Sequence, residues 1–342
     1  MRVELRTDDA ALAALAPAWT ALHCRSRTAT LYNTPQWAQV WWRHFGEPGT
    51  LRLFLVRDEN DALIGLAPMC LTTDGDGEPV LRYLGGVDVS DYLDALAAAG
   101  DEEAVASGLL AGWADGRCRG SRQIDLRAVP HASPLREAFL RLAPAAGFKL
   151  QVERDEVCPV VTLPDTWDAY LAQLDGKQRR ELRRKVRKAG RDVLVSWYQV
   201  RAGPPSGLDE AMETFFDLHA RSDPTKAAFM TPRMRAFFRD VAHIAAREGW
   251  LALSVLLVNG QPAATYFTFD YDNQILLYNS GHDPTLVPEM SPGWVLLAYG
   301  IEHAINLGRR RFDFLRGQED YKFRFGGQAE PVWRLQLEWP GG

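Results

Sequence analysis

Near the end of the chain, Phe312 to Gly326 reads FDFLRGQEDYKFRFG. An apolar, strand-like run stops at Arg316-Gly317, and Glu319, Tyr321 and Lys322 follow within a few residues. A carboxylate such as Glu319, or a Tyr321 phenolate, is a natural acceptor for a proton leaving an amine. Lys322 can offset the charge of a tetrahedral oxyanion. Glu319 and Lys322 stand three apart, so they share a face if the segment is helical. The same residue types also suit a charged surface turn anchored by Tyr321, Phe323 and Phe325. Asp313 alternates with Phe314 along the strand, so it either points out of the core or is buried with a partner.

A second stretch with chemical capacity is Ser291-Pro292-Gly293. Serine is a preferred helix N-cap, and proline at the first helical position gives up no hydrogen bond. Gly293 in the first turn leaves room for a ligand at the positive end of the helix. Trp294, Leu297, Ile301 and Ile305 then continue as the buried stripe. The preceding strand ends at Asn279-Ser280-Gly281, and the long polar connection between the two can hold an anion. No Cys or Ser stands in a nucleophile motif such as G-x-S-x-G, so no covalent acyl-enzyme is expected. Cys24, Cys70, Cys118 and Cys158 are scattered, and the seven histidines lack metal-ligand spacing, so neither a disulfide framework nor a metal is expected.

The elements that must position these residues occur twice. LRLFLVRDENDALIGLAPM (51–69) reads as strand, turn, strand, and LALSVLLVNGQPAATYFTF (251–269) reads likewise, with Asn259-Gly260 as a strong hairpin signal. A third strand, VLRYLGGVD (80–88), aligns without gaps on ILLYNSGHD (275–283). A helical segment follows in each half (101–117 and 292–307). A short strand comes next, RQIDLR (122–127) against RRFDFLR (310–316), matching Asp125 to Asp313. This order predicts two copies of one α/β module with mixed sheets, over 1–164 and 192–342. Residues 165–191 lie between them. Leu171, Leu174, Leu182, Val186 and Ala189 fall at helical spacing there, which predicts an amphipathic linker helix.

The 342 residues exceed what one core usually supports, which agrees with two modules. Residues 176–191 hold nine Lys/Arg and one Glu, a local charge of +8 in a chain of net charge −5. Such a basic bar is either a solvated face paired with neighbouring acids or a surface for phosphates. An acidic chain with no nucleic-acid fold signature and no aromatics within the bar is not expected to bind DNA. MRVELRTDDA has acids where a signal peptide has an apolar core, and the longest apolar run, Trp250–Val258, is far short of the roughly 20 residues a span needs. The expectation is a cytoplasmic protein without a membrane span.

The set GHDP, SPG and FDFLRGQEDYKFRFG resembles the CelD (BcsL) branch of the FemAB-like, GNAT-family acyltransferases. LYNTPQWAQVWWRHFG (31–46), LIGLAPM (63–69), GGVDVSDYLDAL (85–96) and the Arg-rich bar carry the resemblance over nearly the whole chain. It implies tandem GNAT modules and direct acyl transfer to an amine, with Glu319 or Asp91 as base. It also implies a donor lying against Tyr278, Asn279, Ser280 and Gly281, with its phosphates at Ser291 and Gly293. Tyr321-Lys322 is similar to the aromatic-Lys pair of FemAB-like enzymes, and Asp91-Tyr92 to a substrate-side site. Trp37, Tyr92, Arg316, Arg180 and Arg184 are the expected substrate contacts. PEMSPG does not match the usual Q/R-x-x-G-x-G/A phosphate loop, which leaves open acyl-CoA or aminoacyl-tRNA as donor. The implied acceptor is a small molecule or a glycan or envelope precursor. A chain of this kind that binds but does not catalyse, as a scaffold in exopolysaccharide production, is the third alternative.

Overall fold

The computed structural model of the chain describes residues 1–115, 121–192, 194–201 and 205–339, so Cys118 and the last residues of the 101–117 helical segment lie outside the described residues. The chain forms two compact units, Met1–Glu156 with Pro331–Gly342, and Val157–Glu330.

The first unit opens with β1 (Arg2–Arg6), α1 (Ala10–Ala14), α2 (Ala16–His23) and α3 (Pro35–Phe45). The meander β2 (Leu51–Arg57), β3 (Leu63–Thr73) and β4 (Pro79–Tyr83) comes next, followed by the short β5 (Leu96–Ala97). Then come α4 (Glu102–Ala114), β6 (Gln123–Pro130), α5 (Pro134–Ala145) and β7 (Lys149–Thr162), the last running on into the second unit. The second unit continues with α6 (Trp167–Gln173), α7 (Gly176–Asp192), β8 (Val195–Val200), α8 (Pro205–Ser222), α9 (Pro224–Phe229) and α10 (Pro232–Arg247). Its meander is β9 (Leu251–Val258), β10 (Gln261–Tyr271) and β11 (Gln274–His282), followed by α11 (Pro292–Asn306), β12 (Arg311–Asp313), α12 (Asp320–Arg324) and β13 (Gln328–Glu338).

In the first unit the strand order is β1-β2-β3-β4-β6-β13, with β6 parallel to β4 and antiparallel to β13. In the second it is β7-β12-β11-β10-β9-β8, with β12 parallel to β11 and antiparallel to β7. Within each unit the strands run both parallel and antiparallel, and each unit contains the expected meander, helix and parallel strand. The Asn259-Gly260 turn forms as expected, with both residues at positive φ (51° and 78°), the conformation a two-residue hairpin needs.

The linker segment differs from a single helix. It is two helices, because Leu174 is extended and the Asp175 carboxylate accepts hydrogen bonds from the N–H groups of Lys177 and Gln178, starting a new helix. The apolar face is as expected: Leu171, Leu174, Leu182 and Ala189 are buried in one core with α11 and the meander. The opposite face of that sheet packs on α8 and α10 through Phe215, Phe238 and Phe267.

The matched aspartates are both buried with partners. Asp313 accepts from the Leu315 N–H at 2.7 Å, and Asp125 pairs with Arg82 and Arg334. A third acid of the first unit, Asp94, is less well matched. It accepts from the Ala95 N–H, yet one carboxylate oxygen and the Tyr83 hydroxyl are buried without partners among the described residues. Burial pushes the Asp94 carboxyl up to about 7, against smaller opposing effects of Ser133 and Ala95. A carboxyl raised by folding holds its proton in the folded state after the unfolded chain has lost it. Its contribution to stability is therefore full below about 4 and is lost as pH rises toward 7. Urea unfolding of the full chain between pH 4 and 8 is expected to show falling stability across that window, and Asp94→Asn is expected to flatten the slope.

Candidate functional site

The site begins where β11 leaves β12. The two strands pair only at Gln274–Arg311, Ile275–Phe312 and Leu276–Asp313. Immediately afterwards β11 carries an extra residue. Its ladder with β10 steps from Leu277 opposite Thr268 to Asn279 opposite Phe267, leaving Tyr278 as a bulge. A bulge bends and twists its strand. On the other side β12 ends at Asp313, the Phe314 N–H turns to the Pro159 carbonyl, and Leu315 takes a positive φ of 55°.

The parted region of β11 opens on a cleft of about 400 Å³ lined from five elements or their ends, all within the second unit. Ser280 and His282 come from β11, Tyr266 from β10, Lys226 from α9, Tyr321 from α12, and Ser291, Gly293 and Trp294 from the start of α11. The end of β11 is fixed firmly. The Gly281 Cα is so close to α8 that a Cβ there would sit 2.4 Å from the His219 nitrogen, and Ser222 Oγ accepts the His282 N–H at 2.7 Å. Gly281 is thus required by helix–strand packing. Gly293 differs: an added Cβ would meet only the Tyr266 hydroxyl, at 3.7 Å, so its missing side chain is open space beside the cleft.

Ser291 is at the N-cap position, but its side chain does not cap. It has the left-handed backbone conformation (φ 57°) instead of the extended one that directs a capping oxygen at the first turn. Its hydroxyl pairs with Lys185 Nζ of the basic helix at 2.6 Å, and the same ammonium lies 5.3 Å from the centre of the Trp294 ring. The basic bar therefore reaches the start of α11. Other cations in it are paired: Arg184 with Glu181, Arg183 with Asp168 and Lys188 with Glu289. Lys177, Arg179 and Arg180 have no acidic partner among the described residues.

Of the expected donor-binding residues, Ser280, Ser291 and Gly293 line the cleft. Tyr278 does not; its ring stacks on Phe238 at 5.3 Å within the aromatic core. Asn279 turns its carbonyl oxygen to the Ser280 N–H. Tyr321 lines the cleft and its hydroxyl makes no hydrogen bond among the described residues. Burial, with Tyr266 and Glu319 nearby, holds that phenol well above its ordinary range, so it is a proton donor at neutral pH.

Glu319 and Lys322 share a face as the spacing predicts, 3.0 Å apart. Yet Lys322 is turned inward and only 3% exposed. Its ammonium donates to the carbonyls of Arg316 at 2.7 Å and Leu315 at 3.2 Å, so it holds the turn that ends β12. Arg316 contributes that backbone carbonyl. Gly317 is needed in the same turn, at φ 119°, where a Cβ would collide with the Glu319 carboxylate.

In the first unit the structure brings Trp37, Asp91 and Tyr92 together around Tyr32. Its hydroxyl donates to Asp91 at 3.0 Å, and its ring lies 4.8 Å from Trp37 and 6.4 Å from Tyr92. Trp37 is 2% exposed and hydrogen-bonded to Ser90 Oγ, which makes it core and not a surface contact.

Lys226, Tyr266 and His282 are among the cleft residues that the sequence reading did not single out. Lys226 donates to the Ser280 carbonyl at 2.8 Å and to its hydroxyl at 3.1 Å; burial lowers its pKa, while Glu319 and Asp223 oppose the shift. Tyr266 donates to the Gly293 carbonyl at 3.1 Å. His282 stands inside the GHDP motif, but nothing in its spacing marked it. Among the described residues no group of three His, Cys, Asp or Glu could hold a metal, and no helix is long and apolar enough to cross a membrane.

Residues 176–323 match the family model of the acetyltransferase (GNAT) domain. No curated protein matches the chain. Among solved structures, FemX superposes with a TM-score of 0.66 at 10% identity, covering 97% of this chain and 96% of its own. L-PGS from Bacillus licheniformis gives 0.53 at 10% identity over 96% and 91%. A tandem GNAT protein from the clavulanic acid biosynthesis pathway gives 0.51 at 13% identity, covering 98% of each. At these identities the likeness is one of fold.

Replacing Lys322 with methionine leaves two or three carbonyls of the 315–317 turn without a donor. The expected loss of stability is about 1–3 kcal/mol in urea unfolding. A purely cleft-directed lysine would instead leave stability unchanged. Residues 176–323 are thus an acyltransferase domain of the GNAT type, the enzyme class expected from the sequence, in a chain with the mixed α/β fold of a tandem GNAT protein.

Proposed function

We propose that this protein transfers an acyl group from acyl-CoA directly to an amine, as a CelD-type, FemAB-like acyltransferase acting on a polysaccharide or envelope precursor. The observation that supports this most is the cleft at the parting of β11 and β12, inside the residues that match the GNAT domain. Its volume suits a slender arm better than a bulky ligand. Past Leu276 the pairing of β11 with β12 has ended, and an extended amide chain can lie along that edge as an added strand would. At the other end of the cleft, the Gly293 N–H and Lys185 are the groups suited to the donor's phosphates.

The transfer is one addition and one elimination. The neutral amine attacks the acyl carbon, the carbonyl oxygen becomes an oxyanion, and the leaving thiolate departs with the electron pair. In this reading Lys226, the cleft-lining cation, faces the developing charge in place of the inward-turned Lys322. Tyr321 is placed to give a proton to the leaving sulfur. Glu319 keeps a role through Lys322, and Asp91 and Tyr92 are proposed for the acceptor side.

A second reading is transfer from aminoacyl-tRNA. Its specific support is the set of unpaired cations Lys177, Arg179 and Arg180 on α7, the helix that reaches the cleft through Lys185. A fold shared with FemX and L-PGS agrees with either reading.

The deciding experiment is a thermal-shift titration with acetyl-CoA, longer acyl-CoAs and free CoA. At 100 times its dissociation constant a ligand adds about 2.7 kcal/mol, a plain rise in Tm. The expected result is a saturable rise with acyl-CoA that Gly293→Trp abolishes, because the indole fills the space beside Tyr266. No rise with any CoA, together with salt-sensitive tRNA binding lost in Arg180→Glu, would favour the second reading.

A further inference from the structure

The cleft is lined by five titratable side chains: Lys226, Tyr266, His282, Asp283 and Tyr321. Four have chemistry or partners that rule them out as the group that removes a proton from the attacking amine. Lys226 is an ammonium that donates to Ser280 and has no lone pair with which to take a proton. The Tyr266 and Tyr321 phenols are both raised by burial and keep their protons at neutral pH. Asp283 is occupied by Thr285 and by Arg221, which hold its carboxyl below the usual range and leave it a poor base. Glu319, the base expected from sequence, is bound to Lys322 and does not line the cleft.

His282 remains. Its ring makes no hydrogen bond among the described residues. Its backbone is held from both sides: the N–H donates to Ser222 Oγ, and Ser222 Oγ lies 3.3 Å from the carbonyl. The neighbouring Gly281 is packed against the α8 backbone. The imidazole therefore projects into the cleft from a strand end that has little freedom to move.

We propose that His282, whose ring lines the cleft together with Lys226 and Tyr321, is the general base of the transfer. This rests on the acyl-transfer reading above. An imidazole nitrogen takes the N–H proton that the amine sheds as the C–N bond forms. The bond from the acyl carbon to its leaving atom breaks, and the electron pair departs with that atom. The carbonyl re-forms, Tyr321 gives its proton to the leaving atom, and the imidazolium proton passes, directly or through water, to the Tyr321 phenolate.

The electrostatics of the surroundings agree. Burial lowers the His282 pKa first, Lys226 lowers it further, and Asp283 opposes both. The other charged or titratable groups around it are Tyr266 of β10, Tyr321 and Glu319 at α12, and Arg221 of α8, which is already paired with Asp283. A base with a lowered pKa is active at neutral pH and fails as acid protonates it. Removing the Lys226 charge should raise the pKa and move that failure to higher pH.

The test has two parts. In the full chain with nitrogen-15 histidine, the His282 signals are identified by their loss in His282→Asn and followed against pH. The expected midpoint lies below the ordinary imidazole value of about 6.5, and Lys226→Met raises it. In parallel, CoA release from acetyl-CoA with glucosamine as surrogate acceptor gives kcat and KM. His282→Asn should lower kcat by roughly 100-fold or more with little change in the KM for acetyl-CoA, and the acid limb of the Lys226→Met profile should move to higher pH. A midpoint at or above 6.5 that Lys226→Met does not shift overturns the proposal, as does full kcat in His282→Asn. If the wild-type chain neither binds nor turns over acetyl-CoA, the acyl-CoA reading fails on its own, and the titration still decides whether His282 is held as a neutral base.

Discussion

One bulged residue, Tyr278, sets the geometry on which the site depends. Strands that stay paired leave no backbone edge and no cleft. The bulge there comes two residues after the last pair between β11 and β12, and it bends β11 away. The partner strand is stopped by equally local means. The Asp313 carboxylate takes the Leu315 N–H, Leu315 turns into the left-handed region, and Gly317 follows at a φ that a larger residue would not tolerate. The buried Lys322 ammonium then ties the carbonyls of that turn. Two short stretches of irregular backbone, each satisfied by its own side chains, hold the sheet open in a fixed place.

This division explains why the two lysines of the region have opposite duties. An ammonium buried like that of Lys322 is tolerable only when its donors are satisfied, and the carbonyls and Glu319 satisfy them. With its donors used, it has little left for a ligand. Lys226 is only partly buried and is engaged on a single residue, Ser280, at the lip of the open strand. Its charge extends into the cleft, where it affects whatever is bound there. The FDFLRGQEDYKFRFG stretch is therefore mainly a scaffold for the cleft, and Tyr321 is the part of it that reaches the ligand space.

Much of the fold was legible because it rests on local rules. Asn259-Gly260 fixes a hairpin by its φ angles, the alternation of apolar residues fixes the strands, and the doubled order of elements fixes the module. What was not legible depends on where side chains point in space. Nothing in YNSGH announces a bulge, since any residue can occupy it. Ser291 has the composition of a cap but a backbone that forbids capping, a choice set by the loop before it. Asp175 starts a second helix in a segment whose apolar spacing reads as continuous, because the buried face keeps its phase across the break. His282 and Lys226 are far apart in the chain, and only the closure of the sheet and α9 brings them to one place.

The geometry of the basic helix divides into two parts. Its inner side is used locally: Leu182 and Ala189 join the core, Lys185 reaches Ser291, and Lys188 pairs with Glu289. That places two of its cations beside the start of α11 and the loop before it. Its outer side carries Lys177 and Arg180, one turn apart and without acidic partners among the described residues. Cations left unpaired in a chain of net charge −5 are not explained by neutralising nearby acids, because Asp168, Glu181 and Glu289 are already satisfied by Arg183, Arg184 and Lys188. They repel one another along the helix. The helix therefore joins the core by its inner side and leaves its outer cations to solvent.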